Sequence, residues 1–148
     1  MFEKILVVCA GNICRSPTAE RLLKQVLPQK QINSAGLVTQ KSGLTGKPAD
    51  AMACQVAKAQ GLSLEGHQAK QLTPSMCHDF DLILVMEQKH IESVTQIAPE
   101  ARGKTMLLGQ FHTQAEIPDP YRLSQEMFEL AYASIHASVQ AWHAKLSI

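Results

Sequence analysis

A strand, a short loop and a helix start follow one another near the beginning of the chain, and this pattern constrains the fold most. Ile5 to Val8 is continuously apolar, which is typical of a parallel strand covered on both faces. Pro17 to Glu20 is typical of a first helical turn, with Ser16 as its predicted cap. Because helix N-termini carry free amides and a positive dipole, the intervening loop is a predicted anion site. The loop sequence is Cys9-Ala10-Gly11-Asn12-Ile13-Cys14-Arg15.

The remaining sequence continues this alternation of strands and helices. It predicts an α/β fold in three layers, with a four-stranded, twisted parallel sheet flanked by helices on both faces. In such sheets ligands bind beyond the carboxyl ends of the strands, where the predicted phosphate-binding loop follows strand 1. Without a repeat or linker, residues 1–148 are predicted to form a single domain. Further strands are predicted at residues 31–35, 82–86 and 105–108, and helices at residues 49–60 and 87–98, after Thr73-Pro74 and at the end of the chain.

Composition argues against several classes of protein. The 14 basic and 13 acidic residues are interspersed, which speaks against a nucleic-acid or membrane-surface patch. Glu3 and Lys4 precede an apolar run that ends at Ala10, too short for a signal peptide, and no segment is long enough to insert into a membrane. We therefore expect a cytoplasmic protein with mostly reduced cysteines, and a monomer. No C-x-x-C pair is present, so we expect no metal site.

Two features of the chain suggest phosphoryl transfer through a cysteine. Cys9 lies at the entrance of the predicted anion loop, and Arg15 lies at its end, where a cation is unfavourable unless an anion is bound. The second feature is an irregular segment, residues 109–123, in which Pro118 and Pro120 restrict the backbone around Asp119. Loops of this length are uncommon inside compact domains and are often functional.

Five short motifs follow one another along the chain: V-C-A-G-N-I-C-R-S-P at residues 8–17, S-A-G at 34–36, G-H-Q-A-K-Q-L at 66–72, D-L-I-L-V-M at 81–86 and P-D-P-Y at 118–121. In these motifs and their order, the chain resembles the low-molecular-weight protein-tyrosine phosphatases over nearly its whole length. Leu37 follows the S-A-G motif where eukaryotic members usually place an aromatic ring, so the resemblance is closest to the bacterial branch associated with exopolysaccharide production.

The resemblance implies hydrolysis of phosphotyrosine through a cysteinyl-phosphate intermediate, without a cofactor or metal. Cys9 would attack phosphorus, Arg15 would clamp two phosphate oxygens, and Asp119 would protonate the leaving group and then activate water. Ser16 would support the Cys9 thiolate, as well as or instead of capping the helix. The amides from Ala10 through Gly11, Asn12, Ile13 and Cys14 to Arg15 would bind the phosphate, His67 would brace the loop, and Leu37 and Tyr121 would line the substrate pocket.

The implied partners follow from the same resemblance. The substrate would be a phosphotyrosine protein, in particular a bacterial tyrosine autokinase that controls exopolysaccharide or capsule production. Inorganic phosphate or vanadate would inhibit competitively. Independently of the resemblance, the position of Cys14 in the same loop as Cys9 suggests that the two could form a reversible disulfide under oxidation, which would protect Cys9.

Several alternatives remain open from the residues themselves. Asp119 between two prolines could merely shape a turn. A thioredoxin-linked arsenate reductase shares the fold and the loop, but it needs a further pair of cysteines spaced for a relay. The residue seven positions after Cys77 is Leu84 rather than a cysteine, so the sequence shows no such relay. A cysteine-phosphorylated component of a sugar phosphotransferase system would not need Arg15 or Asp119. A non-catalytic phosphotyrosine-binding module would not need the thiol.

Overall fold

The computed structural model describes residues 2–146, within which four strands alternate with helices in the predicted order. The predicted elements are present, with ends that differ by a few residues. The strands are β1 (Lys4–Cys9), β2 (Gln31–Gly36), β3 (Leu82–Val85) and β4 (Thr105–Leu107), and the helices are α1 (Arg15–Val26), α2 (Ala51–Ala59), α3 (Pro74–Asp79), α4 (Gln88–Ile97), a 3₁₀ helix (Pro99–Lys104) and α5 (Gln125–Leu146).

All four strands are parallel, in the spatial order β2-β1-β3-β4. Val8 of β1 pairs with Ala35 of β2 on one side and with Val85 of β3 on the other. The chain therefore leaves β1 in one direction across the sheet and later returns to its opposite side. This reversal places the carboxyl end of β1, at Cys9, at the crevice where doubly wound sheets bind ligands.

Alternate residues of β1 serve two separate cores, which produces the three layers. Ile5 and Val7 face the core formed with α1, α2 and α5. Leu6 and Val8 face the core formed with α3 and α4. Since both faces of the strand are covered, its apolar run has no polar alternation. The predicted α/β architecture is confirmed.

The predicted cap of α1 is wrong. The helix begins at Arg15, and Cys14 is its cap residue without a side-chain hydrogen bond. Ser16 therefore lies inside the first turn, together with Pro17, whose missing N–H costs nothing there. The prediction for α3 is confirmed, since the Thr73 hydroxyl accepts a hydrogen bond from the Met76 amide.

The final helix, α5, covers the core on the side of α1 and α2. Its buried residues form a stripe along one face, and the Trp142 indole N–H donates to the carbonyl of Leu107 in β4. Among residues 2–146, no helix combines the length and apolarity needed to span a membrane. The buried stripe includes Phe128, Ala131, Ile135, Val139 and Trp142.

Candidate active site

The loop between β1 and α1 has its carbonyl oxygens bound from outside the loop and its amides free. Within the described part of the chain, the amides of residues 10–14 donate to no protein acceptor. The first amides of α1 also lack helical partners. A run of amides without acceptors beside a helix N-terminus is suited to bind an anion. The carbonyls of Cys9, Ala10, Gly11, Asn12 and Ile13 accept, in that order, from the Leu37 amide, the Val38 amide, the Thr39 hydroxyl, the His67 ring and the Asp50 amide.

Asn12 fixes the curvature of this loop. Its φ of 61° lies in the left-handed region, which Asn tolerates better than most residues. The buried side chain donates to the hydroxyls of Ser16 (2.7 Å) and Ser34 (2.9 Å) and accepts from the Lys70 amide (3.0 Å). The carbonyl of Asn12 accepts from Nε2 of His67 at 2.6 Å, and burial lowers the pKa of this histidine. His67 thus contacts the loop where the resemblance places its bracing role.

The end of β2 approaches the loop too closely for a side chain. A Cβ at Gly36 would lie 2.9 Å from both the carbonyl oxygen of Ala10 and the backbone carbon of Gly11. Backbone atoms cannot move aside as a flexible side chain can, so glycine is required here. The S-A-G motif therefore has a steric reason in this fold.

Cys9 and Ser16 contact each other at the centre of the loop. The Cys9 thiol sulfur lies 3.0 Å from the Ser16 hydroxyl oxygen. Ser16 also accepts from Asn12, so its own proton is free to be donated to sulfur. This contact explains why Ser16 does not cap α1. Burial raises the pKa of the Cys14 thiol in the same loop, which favours its protonated form.

Arg15 is almost fully buried, and one edge of its guanidinium group is bound to protein. Nη1 donates to a carboxylate oxygen of Glu87 and to the carbonyl of Ile117, both at 2.7 Å. Nη2 lies 3.8 Å from the Asp119 carboxylate. Nε is buried and has no hydrogen-bond partner among the described residues. Glu87 thus compensates the charge conflict that the sequence indicates for an arginine at a helix N-terminus.

Glu87 and His90 belong to the site, although neither is predicted from the sequence. Glu87 follows the carboxyl end of β3, and His90 lies one turn later in α4. Burial raises the pKa of Glu87, but the hydrogen bond and charge of Arg15 outweigh it and hold this pKa below its ordinary value. The signal that could have identified these two residues is the end of β3, which lies beside the end of β1 at the crevice. Residues just after β3 must therefore lie near the loop.

The segment that carries Asp119 is irregular, as predicted, and is attached to the site by its backbone. The Ile117 amide donates to the carbonyl of Met86 at the end of β3. Asp119 is 45% exposed; one of its oxygens accepts from the Tyr121 amide at 3.0 Å and the other faces Arg15. The carboxylate therefore shapes a turn and also lies at the loop.

An open cavity of about 310 Å³ lies between the loop and the Asp119 segment. Tyr121 lines it, and the guanidinium of Arg122 stacks over the Tyr121 ring. Leu37 does not line it, because its side chain packs against the core on the α3 and α4 side. The neighbouring Val38, which is 40% exposed, lines the cavity instead. The structure thus places Val38, and not Leu37, at this cavity.

The described residues show no group of three or more histidine, cysteine, aspartate or glutamate side chains that could hold a metal ion.

Comparison with known proteins places this site in a family. Residues 4–148 match the family described as low molecular weight phosphotyrosine protein phosphatase. Etp of Escherichia coli strain K12, a low molecular weight protein-tyrosine-phosphatase, is 54% identical over 146 residues, which cover 99% of this chain and 96% of that protein. Wzb of Salmonella typhimurium, also a low molecular weight protein-tyrosine-phosphatase, is 51% identical over 99% of this chain and 96% of that protein.

A solved structure shows the same fold over nearly the full length. Vibrio vulnificus Wzb in complex with benzylphosphonate superimposes with a TM-score of 0.96 at 59% identity, covering 98% of this chain and 99% of that one. The enzyme class predicted from the sequence is confirmed by these relatives. The chain belongs to the low molecular weight protein-tyrosine phosphatase family, and within it to the branch of the bacterial enzymes Etp and Wzb.

Proposed function

We propose that this phosphatase hydrolyses phosphotyrosine through a phosphorylated Cys9, with Arg15 and the loop amides binding the phosphoryl group and Asp119 moving protons. The observation that carries the proposal is that two kinds of donor lack an acceptor among residues 2–146: the loop amides and the buried Nε of Arg15. Buried donors normally have acceptors, so these donors favour an anionic ligand. The Cys9 sulfur lies at the entrance of the same loop.

In the first step, the Cys9 thiolate forms a bond to phosphorus while the bond to the tyrosine oxygen breaks. The positive end of α1 and Arg15 favour the thiolate and the charge that spreads over the phosphoryl oxygens. Asp119 donates its proton to the departing tyrosine oxygen, so tyrosine leaves as a neutral phenol. The exposure of Asp119 at the cavity allows this contact with substrate.

In the second step, water attacks the cysteinyl-phosphate. The Asp119 carboxylate accepts a proton from the water, an oxygen–phosphorus bond forms, and the sulfur–phosphorus bond breaks. Cys9 leaves as a thiolate, and the Ser16 hydroxyl, 3.0 Å from the sulfur, donates a hydrogen bond to it. Inorganic phosphate is released, and phosphate or vanadate added to the solution competes for the same donors.

For the substrate, we propose a phosphotyrosine protein, in particular a bacterial tyrosine autokinase that controls exopolysaccharide or capsule production. The resemblance to the bacterial branch supports this choice, and Tyr121 at the cavity supports an aromatic substrate side chain. The benzylphosphonate bound by Vibrio vulnificus Wzb likewise carries a ring next to a phosphorus group. The reaction needs no metal or cofactor, so we expect phosphotyrosine-peptide hydrolysis to persist in a chelator.

Replacing Asp119 by alanine tests its proposed acid–base role. We expect the turnover of a phosphotyrosine peptide to fall roughly 10²–10⁴-fold, the usual contribution of positioned acid–base catalysis. The alkaline limb of the pH–rate profile should disappear with it. Steady-state kinetics across pH measure both effects.

Asp119→Asn is the matched control for the alternative that Asp119 only shapes a turn. An asparagine oxygen can still accept the Tyr121 amide, but it cannot transfer a proton as a carboxyl group does. The proposal expects Asn and Ala variants to be similarly slow. Retained turnover and an unchanged alkaline limb in Asp119→Asn would assign the residue to the turn alone.

A further inference from the structure

His90 is a buried histidine that the proposed mechanism does not use. It is 3% exposed and lies in the first turn of α4. Its Nδ1 accepts a hydrogen bond from the Glu87 amide at 3.2 Å, while the Glu87 side chain accepts from the His90 amide. This reciprocal arrangement is a capping box, in which histidine occupies the place usually taken by glutamate or glutamine.

The same arrangement fixes the protonation of His90 and the direction of its ring. Because Nδ1 accepts a hydrogen bond, the ring proton is on Nε2, which lies 3.6 Å from a carboxylate oxygen of Glu87. Burial, together with the nearby charge of Arg15, lowers the pKa of His90 to about 4, so the ring is neutral near neutral pH. The other charged groups that face it are Glu87, Lys89 and Asp119.

Glu87 links this cap to the guanidinium group. The carboxylate oxygen that faces His90 Nε2 is also the oxygen that accepts from Arg15 Nη1 at 2.7 Å. Arg15 has several rotatable bonds, and the direction of Nε and Nη2 depends on how its other edge is held. A carboxylate that accepts from the His90 amide and lies against the His90 ring can hold that edge in one orientation.

We propose that His90 is a positioning residue of the phosphatase reaction: it restrains the Glu87 carboxylate, which in turn orients Arg15 towards the phosphoryl group. The inference rests on the proposed role of Arg15. It assigns to His90 an effect on catalysis that reaches substrate only through two other side chains.

The test compares His90→Ala with His90→Gln in the hydrolysis of an aryl phosphate. Glutamine can accept the Glu87 amide as in an ordinary capping box, whereas alanine cannot. We expect kcat to fall on the order of tenfold in His90→Ala, because small misplacements of a catalytic group are costly. His90→Gln should restore kcat to within about threefold of the parent. Equal kcat values in the parent and His90→Ala would overturn the proposal.

A second comparison separates positioning from general loss of stability. Thr73→Ala removes the cap of α3, which is the matched control because that cap does not contact Arg15. It should lower the melting temperature without changing kcat. If His90→Ala does not fold, His90→Asn takes its place in the comparison. The asparagine side chain is one methylene shorter than that of glutamine, so we expect this variant to have a low kcat. Equal kcat values in the Asn and Gln variants would contradict the proposal.

The route through Glu87 is tested by a double-mutant cycle. In a Glu87→Ala background, His90→Ala should change kcat by less than about twofold, because the side chain that links His90 to Arg15 is already removed. A further full loss in that background would show that His90 does not act through Glu87. Cys9→Ser, measured in the same assay, distinguishes failure of the proposed function from failure of this inference. Activity that survives it overturns the proposed function, whereas a normal rate in His90→Ala overturns only this inference.

Discussion

Replacing Cys9 by serine is expected to reduce turnover by roughly 10⁵–10⁶-fold, the scale seen when a catalytic nucleophile is removed. A serine hydroxyl keeps the contact with Ser16 but is scarcely ionised near neutral pH, whereas thiols in general ionise far more readily and their thiolates are strongly nucleophilic. Binding of phosphate should remain, because the loop amides and Arg15 are unchanged. Steady-state kinetics with an aryl phosphate, and phosphate titration by calorimetry, measure the two effects.

Cys54→Ser is the matched control for this variant. Cys54 lies in α2, packs at the edge of the core, and is not in the loop. It should retain turnover close to that of the parent. If Cys9→Ser kept turnover within tenfold of the parent, the sulfur could not be the nucleophile, and direct attack by water would have to replace the two-step reaction.

Replacing Arg15 by lysine is expected to lower turnover on the order of 10³-fold, near the lower end of what an arginine contributes to phosphoryl transfer. Lysine keeps the positive charge but has one ammonium group in place of a planar fork. The guanidinium has enough donors to bind Glu87 and Ile117 on one edge and still offer Nε and Nη2 to the phosphoryl group. A lysine cannot serve both sides at once.

Arg21→Lys, six residues further along α1, controls for the exchange itself. Arg21 donates to the carbonyl of Ser63 at 3.2 Å on the surface and does not contact the loop. We expect Arg21→Lys to leave kcat unchanged. A fall in kcat for Arg15→Lys alone would then reflect the lost guanidinium geometry, because both variants keep the positive charge. Turnover of Arg15→Lys within tenfold of the parent would mean that charge alone suffices and the clamp is not needed.

The sequence was sufficient to predict the features that depend on local pattern. The uninterrupted apolar runs of β1 and β3 reflect burial on both faces, and a loop between a buried strand and a helix start has few alternative shapes. Two local details failed for physical reasons. Ser16 followed by Pro17 is typical of a cap, but the hydroxyl is directed to Cys9 and Asn12 instead. Leu37 and Val38 are neighbours after β2, and only the packing shows which one faces the core.

The residues that the sequence could not reveal are those that act across the fold. Glu87 is 72 residues from Arg15 along the chain and reaches it because β3 lies beside β1. His90 in the sequence is simply a histidine in a helical segment. Its role as the second half of a capping box appears only when both side chains and both amides are placed.

The central claim, that Cys9 carries the phosphoryl group during the reaction, is tested most directly by trapping the intermediate. The protein is mixed with a radiolabelled phosphotyrosine peptide, quenched with acid within one turnover, digested and analysed by mass spectrometry. The account predicts a phosphoryl group on the peptide that contains Cys9, and none after Cys9→Ser. Label on a different residue, or complete single-turnover hydrolysis with no labelled protein at any time, would contradict it.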